Sequence, residues 1–178
     1  MIPEPNGVCG GAAIERGFGT IALMRIGQGV DVHAFGEGRG LMLGGVDVPH
    51  PRGLVGYSDA DVLSHAIIDA ILGAAGMGDV GGMFPSSDPQ WKDARSIELL
   101  RRAYARVRGA GLAVVNIDAT VVAQEPRLAA HIPAMRASIA SALEVDVGCV
   151  NVKATTTDGL GFTGRGDGIA ALAIVLLE

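Results

Sequence analysis

Aromatic side chains make up only 4 % of this chain, cysteines number two, and no block of like charge interrupts it. Each scarcity excludes something. Cys9 and Cys149 stand far apart and form neither a metal-ligand nor a redox spacing, so two free thiols in a reducing compartment are expected. The longest apolar stretch near the end, Ile169 to Leu177, is about half of what a membrane-crossing helix needs and reads as a buried strand. The formal charge of −5 argues against a nucleic-acid partner, which requires a basic face. It also means that Lys and Arg alone could not neutralise a polyphosphate ligand, so bound cations are expected with one.

What is plentiful is small or apolar. Hydrophobic residues reach 49 % and glycines number 27 among 178 residues, enough for one compact core and too few for two. Small residues let backbones approach closely.

Residues 1–24 are Gly-rich, lack any sustained period and are expected to form a flexible N-terminal extension to a domain spanning 25–178. No basic start followed by an apolar core is present there, so a secretory signal is not expected and a cytoplasmic, bacterial setting is. From Arg25 to His33 the residues alternate like a strand, which places Asp31 and His33 on one face. Leu41 to Val48 reads as a second strand broken by Gly44-Gly45, and Pro49 to Gly56 as a loop. A helix follows to Ala75, with Ser58 as its N-cap, an apolar face of Val62, Ile68, Ile71, Leu72 and Ala75, and a stop at Gly76 and Gly78. Asp79 to Lys92 carries turn residues throughout, and a loop that long in a small domain is usually functional. Asp93 to Gly109 is a basic amphipathic helix with Ile97, Leu100 and Tyr104 inward, its arginines forming a solvated face. Leu112 to Ala123 is strand-like, Leu128 to Leu143 helical, and Cys149 to Thr157 and Ile169 to Leu177 complete a sheet. Irregular mixing of strands and helices predicts an α+β fold.

Two constellations carry chemistry. Asp31-x-His33 on a strand, with His65 on a helix packed on that face, offers two imidazoles and a carboxylate with a fourth position open, a catalytic zinc pattern. Asp61 and Asp69, four residues either side of His65, are candidates to orient its ring. Alone, Asp-x-His equally fits a polar strand residue and a core histidine. The second runs from Lys153 to Gly166: three threonines, Asp158 and a Gly-rich turn could wrap a phosphate, with Asp158 holding Mg²⁺. A plain Thr-rich strand and hairpin is the alternative. His50 and His131 lack ligand-spaced neighbours and read as surface or capping residues.

The stretches Arg25-Ile26-Gly27, Asp31-Val32-His33, Ser58-Asp59, Asp61-Val62, His65-Ala66, Gly78-Asp79, Phe84-Pro85, His131-Ile132-Pro133, Asn151 to Thr157 and Leu160 to Gly166 resemble, in order, those of the 2-C-methyl-D-erythritol 2,4-cyclodiphosphate synthase family. The resemblance spans residues 25–178. It implies a homotrimer of α+β subunits, with a mixed sheet, helices packed on one face and active sites between neighbours around a threefold axis. It implies that Asp31, His33 and His65 bind a catalytic zinc or manganese ion, that Asp158 holds a magnesium bridging the diphosphate, and that Thr156 serves the transition state with Thr155 and Thr157 beside it. Asp79 and Gly81 fall at the ribose, and Ala123, Pro126 and Leu128 at cytosine. Ser58, Val80, Phe84, Asp88, Ala129, Phe162 and Arg165 fall at further substrate contacts, the last two near a central cavity that holds isoprenoid diphosphates in some members. The activity it implies is metal-assisted cyclisation of a CDP-linked methylerythritol phosphate with release of CMP, in non-mevalonate isoprenoid synthesis.

Four positions depart from the family pattern. Tyr57 stands where the family writes a histidine, and a phenol cannot become a cation near pH 7. Asp158 replaces a glutamate, one methylene longer. Gln28 replaces a common His, and Ser86 a common Asp.

Overall fold

A computed structural model describes residues 24–178; the extension expected over 1–24 and the thiol of Cys9 lie outside it, Met24 apart. The long strand β1 (Arg25–Gly36) is followed by a hairpin of β2 (Leu41–Leu43) and β3 (Val46–Val48), then the short β4 (Gly53–Leu54). Helix α1 (Val62–Ala75), the one-turn α2 (Val80–Met83) and α3 (Ser96–Gly109) come next. Strand β5 (Val114–Val122), α4 (Ile132–Leu143), β6 (Val150–Thr155), the one-turn α5 (Gly161–Gly164) and β7 (Gly168–Leu177) complete the chain.

Five strands form one sheet in the order β4-β1-β7-β5-β6. Only β5 and β6 run parallel, because α4 carries the chain back between them; the other pairs are antiparallel. The mixed α+β architecture matches expectation. Helix α1 packs on β1 and β7, α4 on β6, and α3 over α1. All three therefore cover one face of the sheet.

Several local expectations change. Leu41 to Val48 is not one broken strand. Gly44 and Gly45 both have positive φ, 58° and 76°, which turns the segment into a tight hairpin. The loop 49–56 contains β4, which adds an edge to β1. The loop 79–92 contains α2 and a 3₁₀ turn, Pro89–Trp91. Ser58 is not the cap of α1: that position belongs to Asp61, whose carboxylate accepts the N–H of Ser64 at 3.0 Å. Helix α3 begins at Ser96, three residues later than expected, after Asp93 adopts a positive φ of 56°. His50 is no surface residue, since its ring stacks on Phe35 and its Nδ1 lies 2.8 Å from the carbonyl of Arg52. His131 precedes α4 without a side-chain capping bond.

The central contact is between β1 and α1. Gly27 and Gly29 share the face of β1 that carries Asp31 and His33. A methyl group at Gly29 would lie 1.9 Å from the carbonyl oxygen of Ala66, and one at Gly27 would lie 1.9 Å from that of Ala70. The helix lies backbone to backbone on the strand, with Ala66, Ala70 and Ala74 in the contact. Alternating with these positions, Ile26, Val30 and Val32 of β1 and Leu172 and Ile174 of β7 face away from the helices and are exposed, Ile26 to 74 % and Ile174 to 53 %.

Gly29→Ala is expected to force the helix off the strand and cost about 1–3 kcal/mol, as overpacked cores do. A urea titration of the metal-free protein measures it, and a midpoint equal to the parent's would show that the contact is not tight.

Candidate metal centre

Strand β1 and helix α1 each bring part of the site. Successive inward positions of β1, beyond the two glycines, are Asp31 and His33. His65 stands in the first turn of α1, beside Ala66, where the helix touches Gly29. Strand period and helix contact together make the three side chains converge. His33 Nε2 lies 3.0 Å from Asp31 Oδ2, His65 Nδ1 lies 2.9 Å from the same oxygen, and the two ring nitrogens are 3.1 Å apart. Zinc with bonds of 2.0–2.1 Å in tetrahedral geometry separates its ligands by about 3.3 Å, so a small cation fits this trio with little movement. Asp31, His33 and His65 are thus close enough to hold one metal ion.

Hydrogen bonds on the far side of each ring tell whether the donor set suits a metal. His33 Nδ1 lies 2.7 Å from the carbonyl of Val55. A carbonyl only accepts, so Nδ1 carries the proton and Nε2 offers its lone pair to the site. His65 is turned the other way, with Nδ1 toward the site and Nε2 at 2.8 Å from Ser96 Oγ and 3.1 Å from Ser58 Oγ. Neither aspartate expected to orient His65 does so. Asp61, fully buried, accepts from Gly44 N, Gly45 N, Ser64 N and Ser64 Oγ, which pins the β2–β3 hairpin to the start of α1. Asp69 accepts the N–H of Val80 at 2.7 Å and ties α1 to the segment after it. Ser96 was missed in the sequence because nothing local links it to residue 65.

Charge at the site follows the same geometry. Burial works to raise the pKa of Asp31, but hydrogen bonds and charge from His33 and His65 outweigh it and hold the carboxyl well below the usual range. Burial likewise works to lower that of His33, yet Asp31 and the Val55 carbonyl raise it above the ordinary histidine value. Burial, with Asp79 and Asp31 nearby, raises that of Asp69 against the opposing Val80 hydrogen bond.

A cavity of about 400 Å³ opens beside the trio. Of the expected substrate residues, Ser58, Val80, Gly81 and Phe84 line it, as does Tyr57, whose hydroxyl donates to the Asp88 carbonyl at 3.4 Å. Trp91 and Leu99 also line it and were not foreseen; Trp91 meets Phe84 edge-on, with ring centroids 5.0 Å apart. Asp79 caps α2 through Gly82 N, and Asp88 caps the 3₁₀ turn through Gln90 N. The other expected residues lie elsewhere. Ala123, Pro126, Leu128 and Ala129 follow β5, with Ala123 and Leu128 buried. Thr155, Thr156 and Thr157 leave the end of β6, where Thr156 Oγ1 donates to Asp158 Oδ1 at 3.1 Å. Phe162 lies in α5, exposed, and Arg165 pairs with Asp167. Lys153, read as part of a phosphate loop, pairs with Asp118 on the open face of the sheet, so its charge is already answered.

A raised His33 pKa sets the direction of pH dependence. A metal must displace the proton, so affinity is expected to weaken as pH falls through the raised His33 pKa, which lies above the ordinary histidine value. In the metal-free protein the sign reverses: the proton shared with Asp31 favours the fold at low pH, and this contribution is lost as pH rises through the folded-state pKa. Competition with a chromophoric chelator at stepped pH measures the first effect, and an affinity that ignores pH would remove His33 from the ligand set.

Known proteins place this geometry in a family. The sequence profile of the YgbB family matches residues 24–178. A 2-C-methyl-D-erythritol 2,4-cyclodiphosphate synthase of Geotalea uraniireducens is 61 % identical over 155 residues, covering 87 % of this chain and 99 % of that protein. A solved 2C-methyl-D-erythritol-2,4-cyclodiphosphate synthase in a CDP-bound form superposes with a TM-score of 0.80 at 34 % identity, over 86 % of this chain and 100 % of the other. The bifunctional IspDF of Campylobacter jejuni gives a TM-score of 0.84 at 49 % identity, with 87 % of this chain matching 42 % of that one. The profile match over residues 24–178 and the identity to these relatives assign this chain to the YgbB family, whose relatives named here include 2-C-methyl-D-erythritol 2,4-cyclodiphosphate synthases.

Proposed function

We propose that the protein converts 4-diphosphocytidyl-2-C-methyl-D-erythritol 2-phosphate to 2-C-methyl-D-erythritol 2,4-cyclodiphosphate and CMP, a step of non-mevalonate isoprenoid precursor synthesis. By chemistry it is a phosphorus–oxygen lyase. The observation that carries the reading is the convergence of Asp31, His33 and His65 within 2.9 to 3.1 Å beside a cavity, in a chain 61 % identical to such a synthase.

The reaction joins two anions of one molecule. An oxygen of the 2-phosphate bonds to the β-phosphorus, the bond from that phosphorus to the α–β bridging oxygen breaks, and CMP leaves with the electron pair. No water is consumed. Positioning and charge neutralisation dominate such transfers. A zinc or manganese ion on the Asp31–His33–His65 donors, and magnesium beside Asp158, would supply the positive charge and polarise the β-phosphate. The chain's own residues do the rest. Val55 holds the His33 ring with its donor atom inward. Phe84, Trp91 and Leu99 make a wall that sheds water from the cavity. Thr156 offers a hydroxyl to the phosphates, with Thr155 and Thr157 beside it, while Tyr57 offers one neutral hydrogen bond at the mouth. Asp79 and Gly81 would hold the ribose and Ala123, Pro126 and Leu128 the base, with Val80, Asp88 and Ala129 at further substrate contacts.

That division of labour requires more than one subunit. Asp31 and His33 stand on β1, whereas Thr155 ends β6, three strands away in the sheet order. At a strand spacing of roughly 4.8 Å the separation is on the order of 14 Å. Both lie at the same end of the sheet, since His33 pairs with Ile169 and Val122 pairs with both Ala170 and Thr155. A neighbouring chain can therefore complete the site. The exposed apolar stripe of Ile26, Val30, Val32, Leu172 and Ile174 supports packing of sheets around a threefold axis, which would put Phe162 and Arg165 near a central cavity fit for an isoprenoid diphosphate.

Incubation with the CDP-linked substrate, followed by phosphorus NMR, is expected to yield CMP and the cyclic diphosphate, and to yield neither with a chelator present. Inorganic phosphate as the product would replace cyclisation by hydrolysis. Thr156→Ala is expected to lower kcat by about 10²–10³, the scale of one lost transition-state contact; turnover near the parent's would remove its role. Sedimentation is expected to give three times the chain mass, and Val30→Asp to reduce it to that of one chain, while a monomeric, active parent would reject the assembly.

A further inference from the structure

The hydrogen bonds behind His65 have one consistent direction. Ser96 Oγ, in a fully buried residue, contacts three polar groups: His65 Nε2 at 2.8 Å, Ser58 Oγ at 3.1 Å, and Asp59 Oδ1 in a short contact; the Ser96 backbone N–H also donates to Asp59 Oδ1 at 3.1 Å. A carboxylate accepts only, so the Ser96 hydroxyl spends its single proton on Asp59. Its lone pairs are then the only groups it can turn to His65 and Ser58. Ser58 Oγ accepts the N–H of Ala60 at 3.2 Å and has its own proton free for Ser96. His65 Nε2 consequently faces two oxygens acting as acceptors and must carry the proton. Its Nδ1 is the nitrogen that faces Asp31 and His33, and a cation seated there would take the Nδ1 lone pair in place of the proton that Nδ1 offers Asp31 Oδ2.

We infer that Asp59, acting through the Ser96 hydroxyl, is a positioning residue that fixes the proton of His65 on Nε2 and so keeps Nδ1 available to a metal ion. A serine alone could not do this, because a hydroxyl both donates and accepts; the anion at the end of the chain removes the choice. The proposal rests on the assignment of Asp31, His33 and His65 as metal ligands. Asp59 Oδ1 receives only uncharged donors, Ser96 N, Ser96 Oγ and Asp61 N. Asp59 Oδ2 is the buried side-chain oxygen without a partner among the described residues. The negative charge is therefore not cancelled where it sits, and it can offset the positive charge an imidazole gains when it binds a cation.

A structural role competes with this one. Asp59 accepts the N–H of Ser96 at the start of α3, where Arg95 supplies no side-chain cap, and a cap affects folding and not metal affinity. The two roles separate in a titration of the purified full chain with Zn²⁺ against a chromophoric chelator, alongside thermal melting of the metal-free protein. Ser96→Ala and Asp59→Asn are each expected to weaken zinc binding about 10–100-fold, the range found for partners of metal-bound histidines. The double variant is expected to lose no more than the larger single loss, because both act through one relay. Ser58→Ala, which leaves Ser96 and Asp59 in contact, is expected to lose less than either. Zinc affinity within about threefold of the parent's in Ser96→Ala overturns the proposal, as do additive losses in the double variant or a lower melting temperature with affinity unchanged. Should Asp59→Asn fail to fold, Ser96→Ala decides alone. A parent chain that binds no zinc would instead overturn the metal-centre assignment itself.

Discussion

The site depends on a contact that contains no functional group. Gly27 and Gly29 leave β1 bare on its inner face, and the backbone of α1 at Ala66 and Ala70 fills that space. Side chains in a core can adjust rotamers to absorb an error; two backbones in contact cannot. The separation of strand and helix is therefore set at its minimum, and the next two inward residues of the strand, Asp31 and His33, meet the first turn of the helix at a fixed height. His65 needs no long reach. The four-residue repeat Ala66, Ala70, Ala74 keeps the contact straight along the helix, so the rigidity of the whole pair is transmitted to one end, where the donors sit.

Carboxylates are gathered around that end, and each has a separate partner set. Asp61 is consumed by four donors and joins the hairpin to the helix start, where its charge also suits the positive end of α1. Asp69 is bound to the amide of Val80. Asp31 alone faces two imidazoles. The result is a pocket wall that is net negative until a cation enters, and an anionic substrate would be repelled by it. For the substrate proposed above, cation binding would therefore come before productive substrate binding on electrostatic grounds. The acidic balance of the whole chain, −5, agrees in sign with this local arrangement.

Strand alternation made the Asp31–His33 pair legible in the sequence, and the apolar face of α1 made the helix legible, but their union with His65 was only one of two readings until the family resemblance was added. What could not be read were contacts made by residues distant in the chain. The Asp61 cap was mistaken because Ser58-Asp59-Ala60-Asp61 offers three capping residues in four, and the choice is made by the hairpin amides of Gly44 and Gly45. Ser96 was hidden inside a helix expected to begin at Asp93, so its position at the helix start, facing His65, had no local sign. Trp91 entered the cavity wall because the 79–92 segment is partly helical, and Leu99 reaches it from the first turn of α3. The order of β7 between β1 and β5 likewise has no signature short of the pairing itself.

The separation of the two halves of the candidate site follows from that strand order. With β7 and β5 between them, no side chain on β6 can span to the donors on β1, whatever its rotamer. Yet β1 and β6 end on the same side of the sheet, and the open face over β1 and β7 is apolar. A sheet that leaves Ile26, Val30, Val32, Leu172 and Ile174 in water carries a standing cost, which association relieves. In the proposed trimer, the association that buries the stripe would also bring one chain's β6 end toward another's β1 end. On that proposal stability and catalysis would share an origin: a substitution that dissolves the interface would also take the threonines away from the metal centre, without touching a residue of either.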